Sequence, residues 1–395
     1  NKYKSLEMNF FLPNKNKFNH SFSFSSKTSE GYISGMDFNL KNFFYQANRE
    51  FKNLSTLVNV VLSDKKFGAY SFYTPKYPDQ YEKIKTGIAS FQLNYNYNRL
   101  SIRNKIYVRK NADEFILFRE NPEWYHNFHK TDVYGMDFNI TQKTKNGSNV
   151  IGFEITQDKI ISNRLGEALS SPINIDDQNS YTLGGKRSNI NMFVEKNIYL
   201  ENLSISGGVM ANISNNFNEE FFPGIDIKYN FSKNLQMSMS HNKSMRKPNY
   251  TELYYLSPTN QGNKNLKSEQ SKNREFSVTY KNKKQKTQLS FYQREGINMI
   301  DWILINGDSI WRAENLGQIK NKGFELSSTI YTSEEIERFL GVNSLKINYA
   351  INHSDTSSIG FQSAYVLDYL KSNLSISLNQ VKSCGTFINE LLLHQ

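Results

Sequence analysis

The chain contains 395 residues, of which 14% are aromatic, and carries a formal net charge of +11. Its mean hydropathy is −0.63, and no stretch approaches the roughly 18 uncharged apolar residues that a membrane helix needs, so a helical membrane protein is excluded. The positive net charge favours anionic partners. The basic residues are spread along the chain, which argues against a clustered nucleic-acid interface. A single cysteine, Cys384, excludes a disulfide framework within the chain.

The dominant pattern is an alternation of apolar and polar residues. Phe91, Leu93 and Tyr95 alternate with glutamine and asparagine, and residues 345–352 repeat the pattern. In a β-strand this alternation places apolar side chains on one face and polar side chains on the other. Because such a strand needs apolar side chains only at alternate residues, a chain with a polar average composition can still be a membrane protein.

In chain order, the alternation and the turn residues predict seventeen strands. They cover residues 3–12, 17–27, 31–45, 51–62, 82–97, 98–110, 131–143, 148–160, 187–197, 202–213, 221–231, 233–245, 271–281, 285–303, 317–331, 343–353 and 369–379.

Short and long connections follow one another in rotation between these strands, with residues 28–30 and 306–308 as brief exceptions. The short class comprises residues 13–16, Arg99, 144–147, Glu201, Ser232 and 282–284. The long class comprises residues 65–81, 111–130, 161–186, 247–270 and 354–368. Short turns on one side and long loops on the other are typical of a bacterial outer-membrane barrel, whose long loops lie outside the cell. The sequence therefore predicts an all-β fold, a transmembrane antiparallel β-barrel.

One connection on the short-turn side is predicted to carry a helix. Thr332 and Glu335 have the spacing of a capping box, and Gly341 is placed to end the helix.

Residues 244–271 carry a longer motif. A predicted strand ends at an Arg and a Pro, an aromatic Glu-Leu-Tyr segment follows, and Gly-Asn, Leu-Lys and Glu lead into the next strand. The residues of this motif are Arg246, Pro248, Tyr250, Glu252, Leu253, Tyr254, Gly262, Asn263, Leu266, Lys267, Glu269 and Ser271. The segment resembles a signature of TonB-dependent outer-membrane transporters. It departs from the signature at Lys247, where a small residue is usual, and at Lys264 and Ser268, where prolines are common.

The resemblance extends over residues 17–379, and residues 67–82 are similar to a loop of the cobalamin-type members found in Bacteroidota. It implies a 22-stranded barrel with a plugged lumen. In that frame the strand at 369–379 is the eighteenth, so we expect a plug and one strand before Asn1 and four strands after the chain. Residues 1–380 would be a partial barrel without the plug domain. Residues 381–395, where the alternation fails, would be an aberrant C-terminal tail, and the alternative is a short native end helix.

The function that the resemblance implies is active uptake of a large, scarce nutrient and not an enzymatic reaction. Cobalamin or a related corrinoid is the expected cargo, and an iron–siderophore complex is the alternative. The expected partners are outer-membrane lipid and lipopolysaccharide, the TonB complex acting through a plug, and a surface lipoprotein. Two other classes stay open, namely a truncated, non-functional remnant and a passive porin or adhesin barrel.

Loop aromatics are the predicted ligand-binding residues, because flat rings stack on a large planar ligand while hydroxyls and amides form hydrogen bonds with it. They are Tyr70, Phe72, Tyr73, Tyr77, Tyr81, Tyr250, Tyr254, Tyr255 and Asn260. The alternative is that they pack loop against loop. The motif residues predicted to shape the loop without touching the ligand are Arg246, Pro248, Glu252, Leu253, Gly262, Asn263, Leu266 and Glu269.

Metal and catalytic sites are not predicted. Asp176 and Asp177 supply too few oxygen ligands for calcium, and His126 and His129 lack a third ligand at metal-site spacing. No serine lies in a nucleophile-elbow pattern. Trp124 and Tyr125 are interpreted as part of an interfacial aromatic belt.

Overall fold

The computed structural model describes residues 2–13, 17–72, 76–215, 217–257, 259–355, 360–365, 370–382 and 385–394. Within these ranges it contains 21 β-strands, two α-helices and one 3₁₀ helix. The strands are β1 Lys4–Leu12, β2 Phe18–Ser29, β3 Phe38–Glu50, β4 Leu54–Gly68, β5 Tyr81–Tyr97, β6 Leu100–Ile116, β7 His126–Thr144, β8 Gly147–Ser162, β9 Glu167–Asn174, β10 Ser180–Tyr199, β11 Leu203–Ser214, β12 Glu220–Asn230, β13 Leu235–Arg246, β14 Asn260–Gln261, β15 Glu269–Lys281, β16 Gln285–Ile305, β17 Trp311–Tyr331, β18 Val342–Ser354, β19 Phe361–Ser363, β20 Ser372–Lys382 and β21 Gly385–His394. The helices are α1 Tyr250–Tyr254, α2 Glu334–Leu340 and the 3₁₀ turn Pro122–Trp124.

The predicted all-β, antiparallel fold is confirmed. Each of the seventeen predicted strands overlaps a strand of the structure, and β9, β14, β19 and β21 are additional. Several strands reach further into the predicted long loops; β6 continues to Ile116 and β7 begins at His126, which leaves only residues 117–125 between them. No described helix is long and apolar enough to cross a membrane.

The chain forms two compact units. The first comprises Asn1–Thr144, Asn149–Val194 and Ala211–Glu220. The second comprises residues 145–148, 195–210 and 221–395.

In the first unit, β1 to β7 pair in succession as antiparallel neighbours. The register aligns one apolar row across six strands, namely Phe22, Tyr45, Val60, Ala89, Val108 and Tyr134. The opposite face is polar and internally hydrogen-bonded: the Gln46 side chain donates to Asn59 at 2.9 Å, and Asn59 donates to Ser90 at 3.3 Å. Alternation in sequence thus becomes one apolar and one polar face.

In the second unit, β13, β15, β16, β17, β18, β20 and β21 pair in the same antiparallel manner. Their apolar row contains Met239, Phe276, Phe291, Phe324 and Ile351. The helix α2 is present where the capping signal predicts it. It ends at Gly341, whose φ of +68° suits glycine and whose N–H donates to the Glu337 carbonyl at 2.8 Å.

The C-terminal segment, for which the sequence predicts an aberrant tail or a short end helix, contains a strand in the structure. Residues 385–394 form β21, which pairs with β20. Leu391 and Leu393 lie opposite Ile376 and Leu374 on the apolar face. On the other face, Glu390 accepts hydrogen bonds from the hydroxyls of Ser375 and Ser377 at 3.1 and 3.3 Å. Pairing with a well-patterned neighbour therefore extends the sheet through a segment whose own pattern is weak. Cys384 lies outside the described residues.

Candidate functional site

The motif residues converge on Arg246, the last residue of β13. Its guanidinium donates to both oxygens of Glu269, at 2.7 and 2.8 Å, and to both oxygens of Glu252, at 3.0 Å each. Glu252 and Glu269 are both buried. Two bidentate pairs on one guanidinium are the geometry for which arginine is specifically suited. The hydrogen bonds to Glu269 are the main reason why the pKa of Arg246 is raised, with those to Glu252 adding to it.

The helix α1 presents Glu252 to this arginine. Asn249 and Glu252 form a capping box in which the Glu252 N–H donates to the Asn249 side chain and the Asn249 N–H donates to the Glu252 carboxylate, both at 2.8 Å. Pro248, directly before the cap, is fully buried. Glu252 therefore caps the helix and pairs with Arg246 through the same carboxylate.

Gly262 and Asn263 return the loop to the helix. The Gly262 N–H donates to the Tyr255 carbonyl at 2.6 Å, and the Asn263 N–H donates to the Glu252 carbonyl at 2.8 Å. A Cβ atom at Gly262 would lie 2.9 Å from three backbone atoms of the helical turn. The close approach requires glycine.

An apolar cluster fixes the end of this loop to the sheet. Leu266, Ile300 and Ala313 are buried together, with Leu253 and Trp302 packed against them. The Ile300 N–H also donates to Glu269 at 2.6 Å. This hydrogen bond joins the apolar cluster, which contains Ile300, to the ion cluster around Arg246, which contains Glu269. The eight motif residues predicted to shape the loop are thus brought together.

The predicted ligand-binding residues of this loop lie around α1. The Tyr250 and Tyr254 rings are stacked at 6.3 Å, and the Lys264 ammonium lies 5.4 Å from the Tyr254 ring centre. Tyr255 is half-buried at the end of the helix. Asn260 begins the two-residue strand β14, and its side-chain oxygen accepts from the Thr259 hydroxyl at 2.9 Å.

In the first unit, the predicted aromatics divide into exposed and packed residues. Tyr70 and Phe72 are 41% and 77% exposed. Tyr77 packs against the Phe118 ring at 5.3 Å and the Trp124 ring at 5.6 Å. Tyr73 lies outside the described residues.

Tyr81 lies beneath a cation. The Arg119 guanidinium lies 4.1 Å from its ring centre, and Arg119 also donates to both oxygens of Asp37, at 2.5 and 3.0 Å. These hydrogen bonds raise the pKa of Arg119. Gln80, almost completely buried, donates to the Tyr77 carbonyl at 2.7 Å. Tyr77 and Tyr81 therefore also contribute to holding residues 76–81 against residues 117–125.

The sequence matches the family described as TonB dependent receptor-like, beta-barrel, over residues 12–379. The chain belongs to this family. It is a family of receptors and not a class of enzymes, its members interact with TonB, and it places the chain in the bacterial outer membrane. No curated protein matches the chain in sequence.

Solved receptor structures share the fold. The siderophore receptor PirA from Pseudomonas aeruginosa has a TM-score of 0.71 at 11% identity, with 100% of this chain and 67% of that chain covered. A mutant of the ferric enterobactin receptor PfeA from Pseudomonas aeruginosa has a TM-score of 0.74 at 12% identity, with 99% and 65% covered. The FrpB iron transporter from Neisseria meningitidis has a TM-score of 0.71 at 12% identity, with 96% and 65% covered. The chain spans about two thirds of the length of these structures.

The positions of the apolar residues on the membrane face of a strand show which part of the strand crosses the hydrocarbon. On that face of β6, Ile106 and Val108 are followed by Lys110 and Glu114, which alternate with Ala112 and Ile116. A tilted strand crosses the hydrocarbon in about 9–11 residues. Residues from Lys110 to the end of β6, and those paired with them on β7, therefore lie beyond the hydrocarbon on the long-loop side.

Two carboxyl groups with shifted pKa values lie in this extension. Glu114 accepts from Lys83 at 2.9 Å and contacts the His126 ring nitrogen at 3.1 Å, and the hydrogen bond with His126 is the main reason why the pKa of Glu114 is lowered to about 2. Burial, together with the charge of Glu82, raises the pKa of Asp113 to about 6. Among the described residues, no three His, Cys, Asp or Glu side chains converge as a metal site.

The sequence does not predict the role of residues 117–125, which contact the loop that contains Tyr77 and Tyr81. The aromatic-belt interpretation of Trp124 is replaced by a loop contact, because its ring packs on Phe118 at 4.7 Å. Tyr125 likewise lies under the Arg164 guanidinium, 5.0 Å away. The partner of Arg119 is 82 positions away, at Asp37, and no local pattern could reveal that pairing.

Proposed function

We propose that this chain forms the wall and outer loops of a TonB-dependent receptor that imports an iron–siderophore complex. The receptor part of the proposal is supported by the shared fold over 96–100% of the chain with proteins named as siderophore, ferric enterobactin or iron receptors. Identities of 11–12% support a common fold only, so the choice of ligand depends on the chemistry of the loops.

That chemistry favours an anionic, aromatic ligand. Two predicted ligand-binding rings have a lysine beside them: Lys264 at Tyr254 and Lys76 at Tyr77, at 5.4 and 5.2 Å. The Arg119 guanidinium beside Tyr81 is paired with Asp37, so it contributes less to the positive charge of the loops. A ferric catecholate presents flat rings and negative charge, which stacking and cations recognise together. A corrinoid offers a flat surface with less negative charge, so it uses the rings but not their cations.

A corrinoid is the second candidate. The similarity of residues 67–82 to a loop of cobalamin-type members supports it, and so does the exposure of Tyr70 and Phe72, which offers flat apolar surface for a large macrocycle.

The complete receptor needs partners for this activity. TonB would supply energy through a plug domain enclosed by the barrel wall. Lipopolysaccharide would surround the outer half of the wall, and a surface lipoprotein is a further proposed partner at the loops.

Ligand binding by the full-length receptor in detergent tests the proposal. A ferric catecholate, a ferric hydroxamate and cyanocobalamin are titrated by calorimetry into wild-type protein and Tyr254→Ala. We expect the catecholate to bind most tightly, and Y254A to weaken it about tenfold, as loss of one stacked ring with its cation predicts.

Tyr229→Ala is the matched control, because Tyr229 is an exposed aromatic of the same unit on the membrane face of β12. Binding of cyanocobalamin alone would refute the iron proposal in favour of the second candidate. Absence of binding by all three ligands would leave the passive barrel or the non-functional remnant.

A further inference from the structure

Four lysines of the first unit line a concave surface on the apolar side of the sheet. They are Lys41, Lys85, Lys110 and Lys130, here called the lysine patch. The concavity has a volume of about 430 Å³, and Phe24, Phe43, Leu62 and Asp64 also line it. Lysines on a membrane-facing surface are unexpected unless they meet a charged layer.

Strand register places the lysine patch on the membrane-facing side. Lys41 pairs with Asp64, Asp64 with Lys85, and Ala112, the partner of Lys85, with Lys130. Directly opposite residues point to the same face, as do residues two positions apart on one strand. Phe43, two positions from Lys41, pairs with Leu62 on that face. The lysines therefore extend this apolar surface towards the strand ends that lead into the long loops.

The height of the patch matches the outer edge of the hydrocarbon. Lys110 is the eleventh residue of β6, which begins at Leu100 beside a short turn. About 9–11 residues of a tilted strand cross the bilayer. Since the long loops of a bacterial barrel lie outside the cell, the patch is level with the headgroups of the outer leaflet.

The charge of the patch is available to a ligand. All four lysines are exposed, and within the described ranges none has a salt-bridge partner. Two aspartates share the face, Asp64 and Asp132, and each has one buried carboxylate oxygen that lacks a hydrogen-bond partner among the described residues. Four lysines against two aspartates leave two positive charges.

A phosphorylated glycolipid satisfies both parts of this surface. Its phosphates match compact ammonium groups at headgroup level, and its acyl chains match Phe24, Phe43 and Leu62 directly below. We propose that the lysine patch binds the phosphorylated disaccharide of lipid A, the membrane anchor of lipopolysaccharide. This names a site for the lipopolysaccharide partner proposed above; it depends on the outer-membrane location and not on the imported ligand.

The second unit supplies a comparison surface on its own apolar face. Above the row containing Phe276 and Phe324, its apolar face continues to Lys272, Arg274, Lys320 and Lys322. Glu295 lies between Lys272 and Lys320 in register. Lys272 and Lys320 are half-buried, whereas all four lysines of the patch are exposed. These four residues therefore provide a control variant with the same number of cations removed from a less accessible set.

The test measures lipid A bound to the full-length receptor by native mass spectrometry, with thermal unfolding as a second readout. Bisphosphoryl lipid A, monophosphoryl lipid A, phosphatidylglycerol and inorganic phosphate are added separately to wild type, to K41Q/K85Q/K110Q/K130Q and to the control K272Q/R274Q/K320Q/K322Q. We expect wild type to prefer bisphosphoryl lipid A, and the patch variant to bind it at least about tenfold more weakly. The control should change the affinity by no more than about twofold.

The substitution K41R/K85R/K110R/K130R keeps the charge and should restore lipid A binding, which separates charge loss from misfolding. Equal binding by the patch variant would overturn the proposal, as would an equal loss in the control. Equal affinity for phosphatidylglycerol, or an equal effect of inorganic phosphate, would also overturn it. Ferric catecholate binding is measured on the same preparations. Its absence with intact lipid A binding would count against the proposed transport function alone.

Discussion

Replacing Arg246 with alanine removes the centre of the ion cluster and leaves two buried carboxylates facing each other. Breaking a buried ion pair costs about 3–5 kcal/mol. The Arg246 side chain is 43% exposed, so water screens part of the interaction, and we expect the loop at residues 247–268 to lose about 2 kcal/mol of stability against opening. By the factor of ten per 1.4 kcal/mol, the open population rises about 30-fold.

Hydrogen exchange measured by mass spectrometry on the full-length receptor reads this opening directly. The amides of Gly262 and Asn263 are the reporters, because both donate to carbonyls of the α1 turn. Their exchange should accelerate about 30-fold in R246A and less in R246K, which keeps the charge but not the bidentate geometry. Arg274→Ala is the control, since Arg274 points to the opposite face of β15 from Glu269. Unchanged exchange in R246A, or equal acceleration in R274A, would refute the assignment of the cluster as the support of the loop.

Three further predictions concern single residues. Gly262→Ala should destabilise the same loop by about 1–3 kcal/mol and accelerate the hydrogen exchange of the loop, because the added Cβ has no room. Gly317→Ala should leave the hydrogen exchange of that loop unchanged, because nothing lies within 4 Å of a Cβ at residue 317. The pKa of Glu114 is lowered from 4.5 to about 2 in the folded state, so its stabilisation is present above pH 4.5 and is lost as pH falls towards 2; urea unfolding at several pH values should show this loss in wild type and not in E114Q. The pKa of Asp113 is raised from 3.8 to about 6, so its ionisation costs stability as pH rises through this window; D113N should raise the urea midpoint at pH 7 and not at pH 3, and equal midpoints at pH 7 would contradict the assignment.

Much of the fold could be predicted because the residues of a barrel strand that face lipid alternate with those that face water, and the two sets differ in polarity. The alternation through Phe91 and Tyr95 gives β5 directly, since one face meets lipid and the other meets water. Where both faces meet water the pattern disappears, so the sequence does not predict the extension of β6 to Ile116. It does not predict the strand β21 either, because pairing with β20, and not the composition of β21, keeps this segment in the sheet.

The candidate site was predictable only where one local segment carries it. Arg246, Glu252 and Glu269 lie within a contiguous motif, so their shared role could be inferred from resemblance. Their geometry could not, because it depends on the register that places Arg246 opposite Glu269. The contact between Arg119 and Asp37 joins segments distant in sequence, so only the structure reveals it.

If this chain belongs to an outer-membrane receptor for an iron–siderophore complex, the bacterium that carries its gene should import that complex through it. Uptake of a radioactive ferric catecholate is measured in these bacteria with and without the complete gene, each with TonB active or de-energised. We expect uptake that requires both the gene and energised TonB, with cyanocobalamin uptake unaffected by deletion of the gene. Ferric catecholate uptake that persists without the gene, or cyanocobalamin uptake that is lost instead, would contradict it.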